Sequence, residues 1–325
     1  IENIFYRGDY PRKDAFEVGK LVYPIHHLES YMANVKKYVN HEILSQKRFN
    51  IIVDCFNGAT SYVFPDLLVN LGCSVSVLRG QIKETLSEEE LRLETRKALE
   101  GIVDMSRANR EIGIIIGPHG ENLTIIDERG NALSSDETIA LLALYYMKYR
   151  GEKIINIPIM SPSVIEKIGH AYGATIVRTS SKIRAPQDTT DIFQTGTSGR
   201  YPYLEMAYDP MIVSLIILEF IAMEDRPLHE LRERLPRGNN HSTSLPCSME
   251  DKASIMRMLS SLSLPGGTRI EMIDGVRIIR DNAWVLILPD ATLPLIHFYA
   301  DGDSIDARDA ILEEFILMIK KFKKG

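Results

Sequence analysis

From Arg48 to Tyr149 the chain alternates short apolar runs with longer amphipathic ones, and this alternation limits its fold more than any other feature. "RFNIIVDCFNGAT" has the pattern of a buried strand closed by an Asn-Gly turn. "PDLLVNLG" predicts a helix, with Pro65 in its first turn and Gly72 closing it. "SVSVLRG" predicts a strand, and "SEEELRLETRKALEGIV" a helix opened by a capping box from Ser87 to Glu90. "EIGIIIG" and "LTIIDERG" continue the sheet, and "SSDETIALLALYYMKY" is a helix capped by Ser134 or Ser135. Strands separated by helices predict a parallel sheet covered on both faces.

A second unit starts near Gly151. "KIINIPIM", "SPSVIEKIGHAYG" and "ATIVRTSS" repeat strand, helix and strand, and "MIVSLIILEFIAM" at 211–223 closes the unit as a core helix. Pro, Gly, Asn and Ser gather in "PRGNNHSTSLP", 236–246, which marks a boundary loop. Beyond it come a helix, a strand pair ("GVRIIRDN", "AWVLILP"), a strand ("LIHFYADG") and a closing helix. The expected fold is therefore α/β: two consecutive three-layer α/β/α domains, 29–150 and 151–238, followed by a small α+β domain, 239–325. Residues 1–28 have no sustained period and form a linker or strap, and "LESYMANVKKYVNHEI" after them has helical spacing.

With 325 residues, 45% of them hydrophobic and 25% charged, the chain can bury large cores without metals or disulfides. A net charge of −6 excludes a nucleic-acid binder, which needs a basic face. The terminal "KKFKK" suits a solvated helix end. Cys55, Cys73 and Cys247 lack metal or redox spacing and are expected to be small buried hydrophobes in a reducing cytoplasm. The 211–223 run is too short to span a bilayer and contains Glu219, so no membrane association is expected. His170 and His229 are expected to be structural residues on helices. The chain opens at Ile1 without a visible signal peptide, as a fragment of something longer would.

The order of parts resembles the α-phosphohexomutase superfamily, the phosphomannomutases and phosphoglucomutases, over residues 30–325. "IIVDCFNGA" looks like the strand opening that family's second domain, and "GIIIGPHGENLTIIDERGNALSSDE" like its metal-loop segment. "FQTGTSGRY" stands where the sugar loop of the third domain belongs, and "AWVLILPDATLPLIHFYADGDS" resembles the phosphate-binding segment of the fourth. The resemblance implies a phosphoserine that relays the phosphoryl group, a Mg²⁺ ion, a Glu-Ser pair for sugar hydroxyls and an Arg-Ser-Gly loop for the second phosphate.

Each element departs from that pattern. No Ser-His-Asn-Pro type segment for the phosphoserine occurs. The metal loop, D-G-D-x-D-R in the family, has Gly117, His119 and Glu121 at its carboxylate positions and Asn122 at its Arg position. One carboxylate is a poor set for Mg²⁺, and His119 with Glu121 supply only two of the four ligands of a zinc site. The sugar loop, G-E-x-S-G, reduces to Gly196, Ser198 and a flanking Arg200. The phosphate loop, R-P-S-G-T-E-P, has Leu288 for its Arg, Asp290 for its Ser, Ala291 for its Gly, and Thr292 retained. An aspartate in place of a donor repels phosphate, by about 4 kcal/mol at ~4 Å and an effective dielectric of 20. The expectation is a chain without catalytic residues, metal or cofactor, in which Trp284, Pro289 and Pro294 persist as packing residues.

"IENIFYRGDYPRKDAFEVGKLVYP" resembles the segment joining the first mutase-like domain in fusions headed by a sugar-1-phosphate nucleotidylyltransferase. That makes the chain similar to the C-terminal portion of a mannose-1-phosphate guanylyltransferase with a degenerate mutase region. The implied partner is an attached or associated nucleotidylyltransferase, with homo-oligomers a further option. Three readings stand: a non-catalytic scaffold or regulatory module; a divergent phosphohexomutase; and a cleft-binding protein using Ser198, Arg200, His119 and Glu121.

Overall fold

The computed structural model of the chain describes residues 2–8, 12–17, 19–23, 25–35, 37–83, 88–180, 199–262 and 266–322. Its first helices are α1 (Glu2–Arg7), α2 (His27–Val35) and α3 (His41–Lys47). The single helical run expected across residues 28–43 is two helices. Asn40 takes an extended conformation, and its side chain accepts from the amides of Glu42 and Ile43, which starts α3 anew.

The first sheet has the order β2-β1-β3-β4, from β1 (Asn50–Asp54), β2 (Ser74–Leu78), β3 (Ile112–Ile116) and β4 (Leu123–Ile126). Helices α4 (Phe64–Asn70), α5 (Glu88–Asn109) and α6 (Ser135–Tyr149) complete the unit. Strands β1, β2 and β3 are parallel, as the alternation predicts, but β4 runs antiparallel to β3. The loop 117–122 is too short for the crossover of about a dozen residues that a parallel pair needs, so the chain turns straight back. Ser134 caps α6 in a full capping box with Glu137. The capping box expected at Ser87 lies outside the described residues.

In the second unit β5 (Ile154–Pro158) pairs in parallel with β6 (Thr175–Thr179) across α7 (Val164–Ala171). Then follow α8 (Pro202–Tyr208), α9 (Pro210–Glu224) and α10 (Leu228–Glu233). Helix α9 is apolar all round because it is enclosed. Leu215, Leu218 and Phe220 share one continuous core with Phe64, Tyr145 and Tyr146 of the first unit. Its Glu219 is 2% exposed and is held by the Tyr145 hydroxyl at 3.1 Å and by Arg150 at 3.4 Å.

The third unit is an antiparallel sheet of order β7-β11-β10-β9-β8: β7 (His241–Pro246), β8 (Thr268–Glu271), β9 (Val276–Arg280), β10 (Ala283–Pro289) and β11 (Leu295–Gly302). Helices α11 (Met249–Ser260) and α12 (Ile305–Phe322) cover it. The segment expected as a boundary loop, 236–246, thus ends in an edge strand. Its Ser- and Thr-rich text hides the strand, and Pro246 is tolerated because it sits at the strand's end on the sheet edge. Along β11, Ile296, Phe298 and Ala300 point into the core beneath the helices, so His297 and Tyr299 point to the other face.

That other face meets the second unit at an apolar patch of Ile159, Trp284 and Leu286. The indole of Trp284 donates to Ser163 Oγ at 2.8 Å, and Arg277 and Arg178 stack on the ring with guanidinium carbons 4.4 and 5.1 Å from its centroid. All three cysteines are buried and none is in a disulfide among the described residues. No helix among the described residues is long and apolar enough to cross a membrane.

Candidate functional site

The loop 117–122 lies at the C-terminal end of β3, where an open α/β sheet usually delivers its ligands. Here it closes on itself. The Gly117 amide donates to the carbonyls of Glu121 (2.9 Å) and Asn122 (3.2 Å), and the Gly120 amide donates to the Gly117 carbonyl at 3.0 Å. Gly120 and Asn122 take the left-handed conformations that such a tight turn needs. The loop "FNGAT" packs so closely beneath it that a Cβ on Gly58 would stand 2.3 Å from the Pro118 carbonyl oxygen. The Gly117 and Gly120 amides are thus used inside the turn, and the side chains of His119 and Glu121 are exposed. No group of three or more His, Cys, Asp or Glu among the described residues is arranged to hold a metal. One exposed carboxylate does not fit the oxygen-rich sphere of Mg²⁺.

Of the sugar-loop positions, Gly196 and Ser198 lie outside the described residues. Arg200 is only 7% exposed and is committed to the interior. Its guanidinium lies 3.4 Å from Glu152, 3.6 Å from Glu205 and 4.4 Å from the Tyr146 ring centroid. The Tyr146 hydroxyl closes the group by hydrogen bonding Glu205. Enclosure in this apolar setting raises the Glu152 carboxyl and the Tyr146 phenol above their ordinary ranges, with Arg200 opposing both shifts. Arg200 is thus engaged inside the second unit, whereas His119 and Glu121 stand exposed on the loop after β3.

The phosphate-loop positions are the best defined. Leu288 packs against the Ile159–Trp284–Leu286 patch and so helps join two units. Asp290 turns its carboxylate back into its own loop. Oδ1 accepts from the amides of Thr292 (2.8 Å) and Leu293 (2.7 Å) and from the Thr292 hydroxyl (3.2 Å), while Oδ2 lies 2.9 Å from His297 Nε2. The hydrogen bond with His297, then those from the two amides, hold this carboxyl well below the usual carboxylate range. Ala291 and Thr292 are exposed at the tip. From beneath, the buried Lys252 ammonium donates to the carbonyls of Asp290 (2.7 Å) and Leu293. The loop's donors are occupied by an anion of the chain itself.

Sequence reasoning passed over Lys252 and His297, which lie on a separate helix and strand and carry no motif. It also passed over Asp136, which lines a cavity of about 590 Å³ with Ser134, Pro162, Arg232, Arg237 and Asn240. Burial pushes the Asp136 carboxyl up to about 6, with Arg178 opposing the shift and Glu137 and Asp301 adding to it. His229 is structural as expected, its Nδ1 3.2 Å from Glu128, whereas His170 is exposed.

No family model matches the sequence. Curated relatives nevertheless match nearly all of it. A phosphoglucosamine mutase of Methanococcus aeolicus is 24% identical over 334 residues, 98% of this chain and 73% of the relative. A phosphoglucosamine mutase of Methanococcus vannielii is 29% identical over 303 residues, covering 88% of this chain and 67% of the relative. Among solved structures, a phosphoglucomutase/phosphomannomutase family protein from Burkholderia thailandensis superposes with a TM-score of 0.71 at 16% identity, covering 92% of this chain. The chain spans 65% of that protein's length. Sequence similarity along almost the whole chain, joined to this shared fold, places the protein in the α-phosphohexomutase superfamily.

Proposed function

We propose that this chain uses the phosphohexomutase frame as architecture, as a non-catalytic scaffold or regulatory module working with a sugar-1-phosphate nucleotidylyltransferase. The observation that carries this reading is the phosphate-loop position, where Asp290 takes the Thr292 and Leu293 amides. An incoming phosphate meets a carboxylate where it needs donors, and Leu288 offers it no charge. The turn at 117–122, which offers a metal one exposed carboxylate, and the engagement of Arg200 by Glu152 and Glu205 in the interior support the same reading.

A second reading is a divergent mutase acting on hexose or hexosamine phosphates, and the relatives favour it: they are named phosphoglucosamine mutases and match the chain almost end to end. Titration calorimetry of the chain with glucosamine-6-phosphate, glucose-1-phosphate, mannose-1-phosphate and glucose-1,6-bisphosphate, with and without Mg²⁺, separates the two. The module reading expects no heat at millimolar ligand. Micromolar, Mg²⁺-dependent binding overturns it in favour of the divergent mutase.

A further inference from the structure

On the face of the third sheet opposite its helices, three side chains from separate segments form one hydrogen-bonded line. Ser244 of β7 stands directly across from His297 of β11, and its Oγ is 2.8 Å from His297 Nδ1. The other ring nitrogen, Nε2, is 2.9 Å from Asp290 Oδ2. An ionised carboxylate only accepts, so Asp290 requires Nε2 to carry the proton. In the neutral ring Nδ1 is then the acceptor, and Ser244 must donate to it. The tautomer that leaves a base against the serine oxygen is thus fixed by Asp290, which is itself anchored by the Thr292 and Leu293 amides. A hydroxyl, a base within hydrogen-bond reach and a third group orienting the base is the arrangement that activates a nucleophile.

We propose that Ser244 is an activated nucleophile that accepts an acyl group from small activated esters, with His297 as general base and Asp290 as the positioning residue. Ser244 Oγ forms the new bond to the carbonyl carbon as its proton passes to His297 Nδ1. The bond from that carbon to the leaving oxygen breaks, and the leaving group takes the proton from the imidazole. Water activated by the same nitrogen then releases the acid and restores the serine. Ser244 is exposed, so a small ester reaches it without displacing any part of the chain. This inference goes beyond the scaffold reading and does not depend on it.

The same strand supplies a control. Ser242, two residues away and on the same side of β7, is also exposed but stands opposite Tyr299. The test treats the chain with p-nitrophenyl acetate, follows p-nitrophenolate release, and locates acetyl groups by mass spectrometry after acid quenching. Ser244 should acetylate on the order of 100-fold faster than Ser242, the scale of a positioned general base. His297→Ala should bring Ser244 down to the Ser242 rate. His297→Gln keeps a cross-strand hydrogen-bonding group but removes the base, and should have the same effect in a chain of unchanged melting temperature. Asp290→Asn should lower the rate at Ser244 while leaving that of Ser242 unchanged. Equal acetylation of Ser244 and Ser242, or a Ser244 rate unchanged by His297→Gln, overturns the proposal.

Discussion

The Trp284 indole donates to Ser163 Oγ at 2.8 Å across 121 residues of sequence, and this bond sits at the centre of the contact between the second and third units. The ring is 4% exposed and lies between Arg277 and Arg178. Trp284→Ala removes the ring from a packed interface and should cost about 3–5 kcal/mol, whereas Trp284→Phe, losing chiefly the hydrogen bond, should cost about 1 kcal/mol. Urea unfolding with separate probes on the units measures both values. If Trp284→Ala unfolds in the same transition and at the same midpoint as the parent chain, the ring does not hold the units together.

Arg200 neutralises Glu152 and Glu205 in the interior, and Arg200→Met leaves two carboxylates there without their cation. Breaking a buried pair in this way typically costs about 3–5 kcal/mol. The deficit should depend on pH. Burial already raises the Glu152 carboxyl and Arg200 opposes that shift, so without Arg200 it titrates further above its unfolded value and the variant is least impaired at about pH 4 and below. The deficit then grows as the pH rises toward neutrality. Thermal unfolding of both proteins at pH 4 and pH 7 compares the two gaps, and a larger gap at pH 4 contradicts this account.

Asp136 makes the opposite kind of prediction, because here the parent chain carries the penalty. Its folded-state carboxyl is raised to about 6, above the ordinary value near 4. Its stability contribution is therefore intact below about pH 4, is lost as the pH rises toward 6, and changes little beyond. Asp136→Asn removes the titration, so it should stabilise the chain at pH 7 relative to pH 4. Melting temperatures of parent and variant across this range test it, and parallel curves refute it.

Much of this could be read from the residues, and the failures have physical causes. The parallel core strands, the buried helix α9 and the cap at Ser134 were legible because period, length and capping chemistry are local properties. Strand β7 was not, since Ser and Thr on an edge strand carry no apolar alternation and the pairing partner lies 50 residues away. The loss of the phosphate-gripping charge at Leu288 was visible in the text. Its use in packing against the patch of Ile159, Trp284 and Leu286 was not, because that patch joins separate units. Arg200 looked like a loop residue beside a Gly-rich stretch, and only the fold brings Glu152 and Glu205 against it.

Leu288 decides whether the phosphate-loop position can be rebuilt by one substitution. Leu288→Arg restores the residue type that grips phosphate in the resembling family, yet Asp290 would still hold the Thr292 and Leu293 amides and repel the anion. The new guanidinium would also replace an apolar side chain packed against Ile159, Trp284 and Leu286. Forcing a charge into such a patch should destabilise the chain by about 1–3 kcal/mol without creating phosphate affinity. The double variant Leu288→Arg with Asp290→Ser removes the carboxylate and frees the amides, so it should bind inorganic phosphate at millimolar concentration while the single variant does not. Calorimetry of the two side by side distinguishes the terms. If Leu288→Arg alone binds phosphate as well as the double variant, the Asp290 carboxylate does not guard the loop, and the scaffold reading loses its main support.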